Sequence, residues 1–521
     1  MSNDEMKSNM STAVVNINGF ITPEEKGAVG DGVTDDRIAI QSAIDEAYQN
    51  AISGSGPTTV WAGSNYLVSL NPQSPVIPGE MSAGRGVLCM KSGVTLTGGG
   101  QLLLVDTYSG TSPGAVISNW DGNANNITIK NITIDCRYDV TSGRGISGIN
   151  IVDSDNVLID GVSIKNSTGG GVYLRHSRGN SLNENYGCTN SRIVNCIVNN
   201  AYYIGIQCER PGGMVISSNV IVNTRDNGID IEGNNSATTG SGYAENVIIS
   251  GNTLSMVKNG VFLESCGNAN VVNNQIITSG VGVIFNRINS ASYYNVCSQN
   301  KITGLNVSSG YGIRLNNQIG RCQVSDNFIR VMNVGIHFVD RIDRCNIGVN
   351  TFDSIGNTIL SFSKVPSGVS VLRSSISEQI YLGTQTGGIP YPTSPRGCPS
   401  NYPNRMSPSV RYNPVFFTDT TGSGEDNMLY RTAKLTWNES WGAYSKYNVA
   451  GGYTEINGIF GVAGDYVNIN DIIYIIASVS QSTTTVNKWS AQQSSYIAGD
   501  FTSEINDSYT VNTYRSAWGE L

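Results

Sequence analysis

Charge is scarce in this chain: 14% of its 521 residues are charged, and the balance is −8. That balance argues against a nucleic-acid partner, because displacing counterions from phosphates takes a basic surface. Any anionic substrate must be held by individual arginines instead. Histidine is nearly absent, with His176 and His337 the two examples. No Cys/His spacing has the form of a zinc site, so neither a metal nor a cofactor is expected. No run of about 18 apolar residues occurs, which excludes a membrane-spanning helix. The first residues lack a basic segment followed by an apolar one, so no standard secretory signal is expected. The ten cysteines do not form a small disulfide framework. Cys208 falls at an inward position, and Cys196, Cys297, Cys322 and Cys345 lie in or beside short apolar strands. Buried free thiols follow, which suits folding in a reducing cytosol.

Glycine is abundant, with 60 residues, and much of it is periodic. Short runs opening with glycine and an aliphatic residue recur at Gly148, Gly171, Gly205, Gly228, Gly260, Gly282, Gly312 and Gly335. Their spacings are 23, 34, 23, 32, 22, 30 and 23 residues. A basal period of 22–23 with insertions of 8–11 residues is a repeat architecture. Each repeat holds a second apolar strand followed by a turn asparagine: Asn219, Asn252, Asn274, Asn300, Asn327 and Asn350. Short period-2 strands with one such asparagine per coil predict a parallel β-helix with a stacked amide ladder. Positions one and three after each glycine should fill the core, and positions two and four should face solvent.

Residues 1–26 read as a polar arm. An amphipathic helix follows, with Ile38, Ile40, Ala43, Ile44 and Ala47 on one face and Thr34 or Asp35 as its cap. Its expected task is to cover the open end of the solenoid core. The repeats carry the β-helix to about residue 385. Seven of the fifteen prolines fall between Pro390 and Pro414 and mark residues 386–414 as a linker. Residues 415–521 alternate like a small β-sandwich and contain Trp437, Trp441, Trp489 and Trp518. Those rings suit either sugar stacking or packing in a core or subunit interface.

The segment GAVGDGVTDDRIAIQSAIDEA (residues 27–47) resembles the opening signature of the pectate-lyase-like β-helix superfamily, frequent in bacteriophage tailspikes and polygalacturonase-related proteins. With the repeats, the resemblance reaches from residue 27 to about 375. It implies an all-β fold, a right-handed parallel β-helix with a short N-terminal capping helix. By the same resemblance, the C-terminal β domain would hold three parallel chains together as a homotrimer. Members include hydrolases, lyases and epimerases, so the signature speaks for fold more than chemistry.

The fourth position after the repeat glycines reads Val152, Arg175, Glu209, Glu232, Glu264, Asn286, Asn316 and Val339. Three glutamates on successive coils should stack about 4.8 Å apart, with Asp230 beside Glu232. Like charges that close cannot all ionise, so one carboxyl should stay protonated. Glycosidic cleavage needs that division between an acid and a base or nucleophile. An inert or cation-holding acidic ladder is the other reading. Glu232 and Glu209 form the expected central pair, Glu232 being the acid, with Asp230, Glu264 and Asp226 behind them. Glu209 and Glu232 on adjacent coils suit retention at about 5 Å, and the diagonal Glu209 and Asp230 suit inversion at about 6.5–9.5 Å. Arg175, Arg210 and Arg287 flank the acids, and Tyr173, Tyr186 and Tyr243 offer surfaces for sugar rings. His176 is either a lyase base or a surface histidine without catalytic duty. Loops at Ser177–Asn190, Asn234–Ala244 and Asn289–Tyr294 should wall the groove.

Residues Asn223-Thr224-Arg225-Asp226-Asn227-Gly228-Ile229-Asp230 also resemble the polygalacturonase stretch Asn-Thr-Asp-Gly-Ile-Asp, which implies Asp226 and Asp230 as an acidic pair. Arg225 and Asn227 interrupt the match, and the paired Asp-Asp, Gly-His-Gly and Arg-Ile-Lys motifs are absent. The expected protein is a phage tailspike or capsule depolymerase that hydrolyses a bacterial surface polysaccharide, capsule or O-antigen. It would be made in the host cytoplasm and act outside the cell from the virion tail. With no large particle-binding domain before residue 27, the chain is either truncated or attached through another phage tail protein. A polysaccharide lyase on the same fold and a non-catalytic glycan-binding adhesin are the alternatives.

Overall fold

The computed structural model describes residues 19–69, 85–104, 114–119, 124–137, 145–176, 187–233, 244–286, 293–316, 319–339 and 345–356. It adds the backbone of short strands from 342 to 381 and of strands between Val415 and Ser516. Two compact units result, Met1–Ser290 and Ala291–Leu521.

The first unit opens with helix α1 (Arg37–Ser53), whose Ala39, Ile40, Ala43, Ile44 and Ala47 are buried. Its N-cap position is Asp36, whose side chain makes no capping bond, while Asp35 Oδ1 accepts the amide of the first helical residue, Arg37, at 3.2 Å. Asp36 instead turns back to accept the amides of Val29 and Gly30 at 2.7 and 3.0 Å. Thr34 is drawn into an unexpected strand, Asp31–Asp35, where its amide and hydroxyl bond to Asp31. No acidic residue occupies the first helical turn. Residues 19–26, expected in a loose arm, are tied to the first coil. Glu24 accepts bonds from Ser64 and Tyr66, both at 2.8 Å, and Ile21 is buried.

After the helix the chain winds as a right-handed parallel β-helix, each full coil carrying strands on three faces. On the second face, β1 (Val172–Arg175), β2 (Ile206–Glu209), and the later halves of β3 (Val220–Glu232), β4 (Thr253–Glu264) and β5 (Gln275–Asn286) pair in parallel. The early halves of β3, β4 and β5 continue the first face, bending where the β3–β4 register shifts between Thr224 and Asn227. Strands Val215–Ser217, Ile248–Ser250 and Asn270–Val272 form the third. Corners are made by residues with left-handed backbone, such as Asn195, Asn200, Asn223 and Asn273 at φ 56–60°. Asparagine tolerates that conformation because its short amide bonds locally. The repeat glycine has another reason. A Cβ on Gly205 would lie 2.5 Å from the Gly228 carbonyl oxygen on the next coil and equally near Ile221.

Inward residues stack by type. Ile206, Ile229, Val261 and Val283 are fully buried in one column, and Cys208, Ile231, Leu263 and Phe285 in the next. Each large aliphatic removed from water this way contributes about 1.5–3 kcal/mol. The asparagine ladder stands at the corner before the first face. Asn219 donates to Asn252 and Asn252 to Asn274, both at 2.9 Å. In the second unit Asn300, Asn327 and Asn350 repeat this at 2.9 Å. Among the described residues nine cysteines are buried.

The second unit carries coils of the same kind, with Tyr311–Asn316 paired in parallel to Val334–Phe338 and that strand to Thr358–Phe362. From Val415 onward the pairing is antiparallel, as between Asn427–Thr436 and Ser508–Ser516. The proline-rich stretch 386–414 and Trp437, Trp441 and Trp518 lie outside the described residues.

Candidate active site

The site is built on the second face of the first unit. Register sets Glu209 against Glu232, Glu232 against Glu264, and Glu264 against Asn286. One position set earlier, Tyr173 pairs with Gln207, Gln207 with Asp230, Asp230 with Phe262 and Phe262 with Ile284. Chain distances of 23 and 32 residues between the glutamates therefore collapse to single strand spacings.

Solvent exposure differs from expectation. Gln207 and Glu209 are each 5% exposed, Asp230 4%, Glu264 6%, Tyr173 6% and His176 5%. The outward side chains of neighbouring coils lie against one another and shield each other from water. His176 is thus buried and is not a surface histidine. Glu232 is half-buried, which leaves the central glutamate as the more open carboxylate of the ladder.

A chain of polar contacts runs along these rungs. The Arg175 guanidinium lies 4.1 Å over the Tyr173 ring and donates to Gln207 Oε1 at 3.0 Å. Gln207 in turn donates to Glu232 Oε1 at 2.7 Å. Arg175 Nε also stands 3.9 Å from Glu209 Oε1. Gln207 therefore has its amide orientation fixed from both sides, oxygen to the cation and nitrogen to the carboxylate.

Asp230 is placed differently. Its Oδ2 accepts Asn227 Nδ2 at 2.8 Å, and Asn227 Oδ1 accepts Asn259 Nδ2 at 2.9 Å. Its Oδ1 is buried with no hydrogen-bond partner among the described residues. Burial, foremost, and the neighbouring Glu232 push the Asp230 carboxyl well above the usual carboxylate range, and the Asn227 bond offsets this only in part. A carboxyl whose charged form is disfavoured thus stands two residues from a second carboxyl on the same strand. Sequence reasoning assigned the protonated role to Glu232. The structure raises Asp230 instead, because burial and the neighbouring Glu232 disfavour its charged form.

The remaining expected residues disperse. Asp226 sits at the corner between faces, 41% exposed and 3.3 Å from Lys258 Nζ. Arg210 occupies a left-handed corner at φ 47°, and its amide donates to the Glu232 carbonyl at 2.7 Å. Tyr186, Tyr243 and Arg287, with most of the three expected loops, lie outside the described residues. Gln207, Asn227 and Phe262 were missed. All three stand in the repeat pattern, but an uncharged residue gives no signal when acids alone are sought.

Comparison with known proteins gives partial matches. The family model described as periplasmic copper-binding protein (NosD) matches residues 189–363. Among the described residues no group of three or more His, Cys, Asp or Glu could hold a metal, and burial pushes the Cys196 thiol up to about 12. Mannuronan C5-epimerase AlgE4 of Azotobacter vinelandii is 35% identical over 122 residues, 23% of this chain and 20% of that protein. The chain thus aligns with a fifth of that relative's length. Among solved structures, the tailspike of E. coli bacteriophage HK620 in complex with a pentasaccharide has a TM-score of 0.53 at 15% identity, over 71% of this chain and 67% of that one. An exopolygalacturonase from Thermotoga maritima has a TM-score of 0.51 at 14% identity, over 70% of this chain and 92% of that one. The chain has the right-handed parallel β-helix fold of these polysaccharide-acting proteins.

Proposed function

We propose that this protein is a tailspike-like depolymerase that binds a bacterial surface polysaccharide, capsule or O-antigen, and hydrolyses its glycosidic bonds. The observation that carries this reading is the Asp230–Glu232 pair, one carboxyl whose charged form burial disfavours beside a more open one. Asp230 would give its proton to the leaving glycosidic oxygen from Oδ1, since Oδ2 already accepts from Asn227. Glu232, oriented by Gln207, would act as base toward water. The backbones of alternate residues on one strand are about 6.6 Å apart, and carboxyls held at roughly 6.5–9.5 Å would leave room for an attacking water and give inversion. Glu209 is held on Arg175 and Glu264 lies on the next rung, so both would shape the substrate's path. Tyr173 would underlie Arg175 rather than a sugar.

The test is release of oligosaccharides from purified capsules and O-polysaccharides, with the product anomer read by NMR. Asp230→Asn and Glu232→Gln should each lower turnover at least ~10²-fold while glycan binding persists. A Glu232→Gln protein that clears polysaccharide at the wild-type rate sinks the assignment.

A second reading has its own support in the epimerase relatives, which are 32–35% identical over their matched stretches. On that reading the face would act on a uronate, as a lyase or epimerase, with Arg175 neutralising the carboxylate. An unsaturated, ultraviolet-absorbing product indicates the lyase, and epimerised sugar without cleavage indicates the epimerase. Binding without any product indicates an adhesin. We also infer a homotrimer, clasped through residues 415–521 and carried at a phage tail. The fold shared with tailspikes supports this.

A further inference from the structure

The second unit carries a polar cluster that the acidic face does not use. Strand Tyr311–Asn316 pairs with Val334–Phe338, setting Arg314 opposite His337. The Tyr311 and His337 rings stack with centroids 4.6 Å apart at 29°, and the Arg314 guanidinium lies 5.4 Å from the Tyr311 ring centre. Arg314 Nε and Asn316 Oδ1 are buried and have no hydrogen-bond partner among the described residues. No carboxylate pairs with Arg314 among the described residues. Buried polar atoms are nearly always satisfied in a folded protein. A donor and an acceptor left open two positions apart on one strand mark a place where something else bonds.

We infer that Tyr311, Arg314, Asn316 and His337 form a binding subsite for a carboxylate-bearing sugar, a uronate residue of the polysaccharide. The inference rests on the reading that this protein binds polysaccharide and adds the class of sugar. The guanidinium would take the planar carboxylate, and Asn316 Oδ1 would accept from a ring hydroxyl. The two are about 6.6 Å apart along the strand, which suits opposite edges of one pyranose. The half-exposed Tyr311 supplies an apolar shelf, and His337 backs it by stacking. His337 is 8% exposed, and burial together with Arg314 lowers its pKa to about 4. It is therefore neutral at physiological pH, and Arg314 provides the only charge of the cluster. One fixed positive charge in a chain of net −8 selects one anionic group.

Binding is measured by calorimetry on the full chain carrying Asp230→Asn, so that turnover does not intrude. The probes are oligogalacturonate, oligomannuronate, dextran sulfate and neutral dextran of matched length. At least one uronate should bind more tightly than dextran. Arg314→Ala should weaken uronate binding at least tenfold and leave dextran unchanged. Arg314→Lys, which keeps the charge but loses the flat fork, should fall between them. Thermal melts of both variants show whether the fold is retained. Uronate binding that ignores Arg314, no uronate preference, or Arg314-dependent binding of dextran sulfate alone overturns the inference. Capsule cleavage by the wild-type chain without uronate preference would remove this subsite and keep the hydrolase. Arg314-dependent uronate binding without cleavage would do the reverse.

Discussion

Asp230 stands opposite Phe262 on the next coil and opposite Gln207 on the one before. An aromatic ring on one side and an amide engaged elsewhere on the other leave its carboxyl little water. Replacing Phe262 with Ala should admit solvent and bring the Asp230 carboxyl down toward the ordinary range. If Asp230 is the acid, activity is lost as it deprotonates. The alkaline limb of the pH–rate profile should then move to lower pH in Phe262→Ala and stay in place in Phe262→Leu. A limb that does not move in either variant removes Asp230 from the acid's role.

The same carboxyl fixes the sign of a stability effect. Its folded pKa lies above its unfolded one, so the folded state holds the proton more tightly. That contribution is fully present below the unfolded pKa and is lost as pH rises through the folded one. Asp230→Asn removes the titration. Its stability should match wild type under acid and exceed it at high pH. Denaturant melts across pH test this, and a wild-type curve parallel to the variant's at every pH contradicts it.

Asn274 is a structural residue. It accepts both the amide and the side chain of Asn252, at 3.0 and 2.9 Å, and donates to the Ile249 carbonyl at 2.9 Å. Asn274→Ala should cost about 1–3 kcal/mol by leaving buried groups short of partners. Turnover per folded molecule should be unchanged. Normal stability with lost turnover would reverse the assignment.

Assembly is read by light scattering. A stable trimer at micromolar concentration is expected, and deletion of residues 415–521 should give monomers that keep the β-helix circular dichroism. A full chain that stays monomeric would rule the trimer out.

Much of this was legible in the sequence because it is periodic. The glycine-aliphatic runs gave the coils, and the turn asparagines gave the ladder, since each repeats a local requirement of sterics or hydrogen bonding. The rung of Glu209, Glu232 and Glu264 followed from counting positions. What counting missed arises between coils. Alternation says that Asp230 points away from the core. It does not say that Phe262, 32 residues later, stands opposite it, or that burial raises its pKa. Gln207 was passed over for the same reason, as its importance lies in joining Arg175 to Glu232. At the first end, a run of acidic residues before α1 suggested a cap, but Asp36 serves the preceding loop instead.

The left-handed corners have a consequence for how such a protein can change. A corner reverses the chain within one or two residues whatever follows it, so a stretch of any length can be inserted there while the next strand still returns to its rung. Glu209 and Glu232 are separated by 23 residues and Glu232 and Glu264 by 32, yet both pairs are in register. Chemistry is indexed by rung and loop length is free to drift. A lineage can therefore lengthen or exchange such segments while its acidic side chains keep their rungs.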